Sequence, residues 1–133
     1  MIGYVMLGTS DLEKSGAFYD TLLKEVNASR VMEVPDYFIA WAKGKDQPSI
    51  AVTLPFNKEA QHPGNGNMTG IHVNTPEDVK CIYEKAISLG GSCEGKPGFR
   101  PEGETSGFYA GYFRDLDGNK LNAFCIVPPT SQD

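Results

Sequence analysis

Apolar positions along the first 56 residues change period in a fixed order. Residues 2–8, IGYVMLG, are an apolar run of strand length, and the next segment, SDLEKSGAFYDTLL, places Leu12, Phe18, Tyr19, Leu22, Leu23 and Val26 at helical intervals. Ser10 with Glu13 three residues on has the spacing of a capping box, which predicts a helix starting at that serine. Three short β-prone runs follow, SRVMEV, YFIAWAKG and SIAVTLPF, divided by Pro35-Asp36 and by KGKDQP, both of them turn chemistry. The predicted order is β-α-β-β-β.

That order returns after a Gly/Asn-rich joint, HPGNGN. The extended run MTGIHVN leads to a helix with Thr75 as its cap, Pro76 at the first helical position and Asp78 at the third. Its apolar face is Val79, Ile82, Tyr83, Ala86 and Leu89, and Gly90-Gly91 ends it. Three more strands are expected: a short one around SCEGK, then FYAGYFR and KLNAFC joined by a turn over DLDGN. The chain thus reads as one α+β domain made of a tandem repeat of a unit of about 60 residues. The first βαβββ module covers 1–56, a linker 57–67, the second module 68–127 and a tail 128–133.

Composition narrows the partners. A chain of 133 residues suits one core, and its formal net charge of −5, from 17 acidic and 12 basic residues, has no run of like charge to draw it to nucleic acid or an anionic membrane. The N-terminus lacks the basic leader of a signal peptide and reaches a polar turn too soon for a membrane span, which makes the expected location cytoplasmic. Cys81, Cys93 and Cys125 are odd in number and form no C-x-x-C pair, which argues against a disulfide framework or a zinc knuckle and for packing as small apolar side chains.

Four motifs in order, LGTSDLEKSGAFYDTLL, LPF with PGNGN, EGKPGFRP and FYAGYFRDLDGNKLNAF, resemble the vicinal oxygen chelate superfamily, the glyoxalase, bleomycin-resistance and extradiol-dioxygenase group. Within it the chain is most similar to the lactoylglutathione-lyase-like bacterial members. The resemblance spans nearly the whole chain and implies two βαβββ modules forming a curved eight-stranded sheet around a cleft, usually in a homodimer. It also implies a divalent metal in the cleft, held by His, Gln or Glu from inward-facing strand positions. The positions matching those ligands here are Tyr4, Met68 and Asn122. A phenol, a thioether and a neutral amide are a poor set for a hard or borderline cation, so no metal cofactor is expected. His72, four residues beyond Met68 on the same strand face, is the one candidate metal ligand, under an alignment shifted by four residues; otherwise it is a strand-end residue bonded to backbone.

What the pattern leaves is a small-molecule cleft lined by Tyr4, Trp41, Met68 and Asn122, with Arg100 in the loop GFRPEGETSG as a two-pronged clamp for an anionic ligand group. Trp41 and Met68 equally suit a closed core. Tyr109 and Tyr112, three apart on one strand, face opposite sides, and Tyr109 is taken as the ligand-binding candidate. Two functions stay open: a binder of a small molecule with a degenerate metal site, or a metal-dependent lyase or isomerase of the lactoylglutathione lyase type. The second requires at least two intact ligands and an acid–base group.

Overall fold

The computed structural model describes residues 1–130, so the last three positions of the tail expected at 128–133 lie outside the described residues. The elements are β1 (Tyr4–Gly8), α1 (Leu12–Lys24), β2 (Ser29–Val34), β3 (Phe38–Ala42), β4 (Ser49–Thr53), β5 (Thr69–His72), α2 (Pro76–Ser88), β6 (Ser92–Phe99), β7 (Gly107–Arg114) and β8 (Lys120–Val127). No helix among them is long and apolar enough to cross a membrane.

Caps account for both helix starts. Thr75 accepts from the Asp78 N–H and Pro76 opens α2, as its sequence predicts. At α1 the cap is Asp11, whose side chain accepts from the Lys14 N–H. Ser10, the expected cap, is used elsewhere: its N–H and hydroxyl both donate to Asp117 Oδ1.

The eight strands divide into two four-stranded sheets, β1-β4-β3-β2 and β5-β8-β7-β6. In each module the first strand lies parallel to the last and the remaining pairs are antiparallel. The curved sheet implied by the resemblance is therefore interrupted between β1 and β5, which no hydrogen-bonded ladder among the described residues joins. One reason is visible at Gly8, whose outward carbonyl accepts from the Asn119 side-chain amide rather than from a strand.

Strand alternation sorts the residues into two sides. The helix side carries Leu7, Ile39, Trp41, Ile50 and Val52 in the first sheet and Ile71, Tyr109, Phe113, Leu121, Ala123 and Cys125 in the second. With Phe18, Tyr19, Leu22 and Leu23 of α1 and Val79, Ile82 and Ala86 of α2 they make a single core shared by both modules. The helices touch one another, and Lys85 of α2 reaches Glu25 at the end of α1 at 3.9 Å.

A buried carboxylate fastens the modules. Asp115 opens the β7–β8 turn; its Oδ1 accepts from the backbone N–H groups of Asp117 and Asn119, and its Oδ2 accepts from the Asn119 amide and, at 2.7 Å, from the Tyr19 hydroxyl of α1. Gly118, at φ 85°, supplies the left-handed residue that this turn requires. Burial raises the Asp115 carboxyl above its ordinary range against the pull of these four donors. Burial and the neighbouring Asp115 charge raise the Tyr19 phenol well above its own.

The Tyr19 phenol links stability to pH. Its folded-state affinity for the proton exceeds that of the unfolded chain, so its contribution is complete below about pH 10 and fades as pH rises beyond it. Tyr19→Phe is expected to lower unfolding stability by about 1.5–3 kcal/mol near pH 7, the loss of one hydrogen bond to a charged group. Urea denaturation at pH 8 and pH 11 should show the gap between the two proteins narrowing at the higher pH. An unchanged gap would mean that Tyr19 is not the linked group.

Candidate functional site

The side of each sheet away from its helix is open. In the first sheet the register stacks Tyr4, Ser49 and Ala42 in one row, and Met6, Ala51, Ala40 and Met32 in the next. Small residues in the two middle strands therefore floor a trough, and large ones in the edge strands wall it. Tyr4 (66% exposed) and Met6 stand on one wall, Val31, Met32 and Tyr37 on the other, and Lys45 and Asp46 close one end. The hollow measures about 850 Å³.

In the second sheet the open side carries Gly70 and His72 of β5, Lys120, Asn122, Phe124 and Ile126 of β8, and Phe108, Ala110 and Tyr112 of β7. Met6 belongs to the trough and also to a hollow of about 180 Å³ shared with Gly8, His62, Met68 and Lys120, so the open sides of the two sheets meet across the β1–β5 seam. Two residues before Asn122 on β8, Lys120 lies on that seam.

Asn122 is only 2% exposed, and its Oδ1 has no hydrogen-bond partner among the described residues. Gly70 leaves it room: a Cβ there would stand 3.0 Å from Asn122 Oδ1 and 3.2 Å from the Phe124 ring. Phe124 in turn stacks on Phe108 and tilts against His72, each at 5.4 Å between centroids. Beside them the Tyr112 ring lies between two cations, Arg100 at 5.5 Å and Lys120 at 5.8 Å.

The residues singled out from sequence do not share one pocket. Tyr4 is in the trough and Asn122 under the second open face. Trp41 points the other way, into the core: it is 1% exposed and packs on Tyr19, and its Nε1 donates to Asp20 Oδ1 at 2.8 Å. Asp20 also takes a two-pronged pair from Arg30, whose hydrogen bonds hold the Asp20 carboxyl below its usual range. Tyr109 is likewise a core residue, edge-on to Phe99, and the open-side tyrosine of that strand is Tyr112. The Arg100 guanidinium donates to the Phe99 and Lys96 carbonyls and so braces the irregular β6 while covering Tyr112. Trp41, Met68 and His72 come together instead in a crevice of about 580 Å³ between β1, β5 and the end of α1.

Sequence reasoning missed the trough floor. Its signal was FIAWA, where alanines alternate with Ile39 and Trp41; that alternation puts the bulk on the helix side and leaves room opposite. Of the cysteines expected to pack, Cys125 does, and Cys81 and Cys93 are exposed. Burial pushes the Cys125 thiol up, away from the reactive thiolate.

As a metal centre the open side does not fit. Its family positions hold a phenol, a thioether and an amide, His72 adds one imidazole, and among the described residues no three His, Cys, Asp or Glu side chains converge. These residues offer hydrogen bonds and aromatic faces to an organic ligand.

Comparisons with known proteins agree with this architecture. A glyoxalase/bleomycin resistance protein from Albidiferax ferrireducens T118 is 32% identical, with 97% of this chain and 99% of that one covered at a TM-score of 0.82. A glyoxalase/bleomycin resistance protein/dioxygenase family enzyme from Burkholderia phytofirmans PsJN is 17% identical, covering 94% and 98% at 0.71. A lactoylglutathione lyase from Agrobacterium tumefaciens is 17% identical, covering 94% and 92% at 0.65. At 17% identity the likeness of the last two shows the fold alone. No curated protein matches the chain in sequence. Residues 1–123 match the family described as the Glyoxalase/Bleomycin resistance protein/Dioxygenase superfamily, and the chain belongs to that superfamily.

Proposed function

We propose that this superfamily member binds a small organic molecule on its open side without a divalent metal, and that it works in the cytoplasm as a homodimer. The observation that carries the reading is Asn122. A buried carbonyl oxygen without a partner costs about 1–3 kcal/mol, and a ligand donor arriving there would recover it. The trough beside Tyr4 takes the apolar body of such a ligand, and Tyr4 offers it an aromatic face.

The lyase alternative requires a group that carries the substrate proton and a cation that stabilises the resulting enediolate. Asn122 neither ionises nor accepts a proton near neutral pH, and the donor set around it does not fit a dication. The superfamily also includes proteins named for bleomycin resistance, a title that does not require catalysis.

Pairing of two copies is supported by the apolar side chains left uncovered on the open side, among them Tyr4, Met32, Met68 and Ile126. A second chain laid over them would bury that surface and close the ligand site. The exposed thiols of Cys81 and Cys93 suit a reducing compartment.

Protein purified without chelator should hold well under one equivalent of zinc, nickel, iron or manganese by elemental analysis. It should also leave the methylglyoxal–glutathione hemithioacetal at its background rate, with or without added zinc or nickel. A full equivalent lost in His72→Ala, or turnover abolished by substituting His72 or Asn122, would restore the lyase reading.

A thermal-shift panel of small oxygenated and aromatic compounds should yield at least one saturable binder. By calorimetry Asn122→Ala should weaken it by about 0.5–1.5 kcal/mol, one neutral hydrogen bond. Binding indifferent to Asn122, or no binder at all, would count against the site.

Light scattering after size exclusion should give twice the chain mass, and Met32→Asp should shift it toward one. A monomer mass for the native chain at micromolar concentration would sink the dimer.

A further inference from the structure

We propose that the crevice on the helix side of the β1–β5 seam is a second binding site, for an aliphatic monocarboxylate. This inference does not rest on the open-side reading. The crevice has a volume of about 580 Å³, within the range of small-molecule sites, and its walls are Leu23 of α1, Val26 in the turn that follows it, Trp41, Ile50 and Ile71. Four of these five are aliphatic, which favours a hydrocarbon chain over a planar ring.

One side chain with a fixed positive charge, Lys43, lines the crevice, and no carboxylate does, although the chain as a whole carries a net charge of −5. Lys43 has no ion-pair partner among the described residues.

The backbone adds donors of the same kind. β5 is the terminal strand of its sheet. The Val73 N–H donates to the Phe124 carbonyl within the ladder, and by strand alternation Ile71 also points its backbone groups at β8. The N–H groups of Gly70 and His72 then face the unpaired edge, and both residues line the crevice. An anionic head held by the Lys43 ammonium and an edge N–H, with its chain against Trp41 and Ile71, satisfies groups that otherwise face only water.

Trp41 is the one tryptophan of the chain, so its emission reports on this site. Octanoate titrated into the full-length protein is expected to change that emission saturably, and octan-1-ol to bind about fivefold more weakly, the discrimination of one exposed ion pair. Lys43→Met, at an exposed position, should bring the two compounds to equal affinity. Ala28→Phe, which fills the crevice from its wall, should abolish the response, whereas Asn122→Ala should leave it unchanged. The proposal is overturned by an emission that does not saturate, by equal affinity for acid and alcohol in the native chain, by a preference that survives Lys43→Met, or by a response lost with Asn122.

Discussion

The Asp115 carboxylate is the constraint on which the rest of the molecule depends. It is out of water, it carries charge, and its four donors come from its own turn and from α1 of the other module. A buried carboxylate is tolerable only while its partners stay in place, so this group rejects any relative placement of the modules that moves Tyr19 away. Asn119 extends the same restriction to β1 through the Gly8 carbonyl, and Asp117 extends it to the chain before α1 through Ser10. The seam between the sheets is thus set by side chains and not by a strand ladder, which leaves β1 and β5 as free edges.

From that placement follow the two hollows. On one side of the seam the sheets meet along their open faces, where small floor residues and edge-strand walls shape the trough. On the other, the end of α1 and the turn after it close the gap with Leu23 and Val26. A continuous ladder across the seam would have left the second hollow no room between the strands. Asn122 belongs to the first side, and Trp41, tied to Asp20 and covered by Arg30, belongs to the second.

Element order, the repeat and the superfamily were legible because each rests on local chemistry: period, caps and turn residues. Thr75-Pro76 and DLDGN could hardly mean anything else where they stand. The α1 cap was misread because Ser10 and Asp11 are both good caps, and the choice was made by Asp117, more than 100 positions away. The break between the sheets was hidden for a similar reason, since Asn119 looks like any turn asparagine until Gly8 is beside it. Among site residues, Asn122 stood out by its contrast with the family pattern. Tyr109 was taken for the cleft and Trp41 was left between cleft and core for one reason: a large aromatic serves a core and a cleft alike, and only the register against neighbouring strands separates the two.

The parallel pairing within each module has a consequence for how the chain forms. Tyr4 lies opposite Ser49, and Thr69 opposite Leu121, so the strand that opens each module finds its partner only when the strand that closes it exists. Neither module has a stable half. The antiparallel pairs β2–β3 and β7–β8 are local and close quickly, whereas the long loops that bring β1 to β4 and β5 to β8 must be ordered first at an entropic cost. During synthesis the opening strand therefore waits, unpaired, until the last strand of its module has emerged. Because both modules contribute to one core, the first, even with its sheet complete, still lacks the surface that the second must supply.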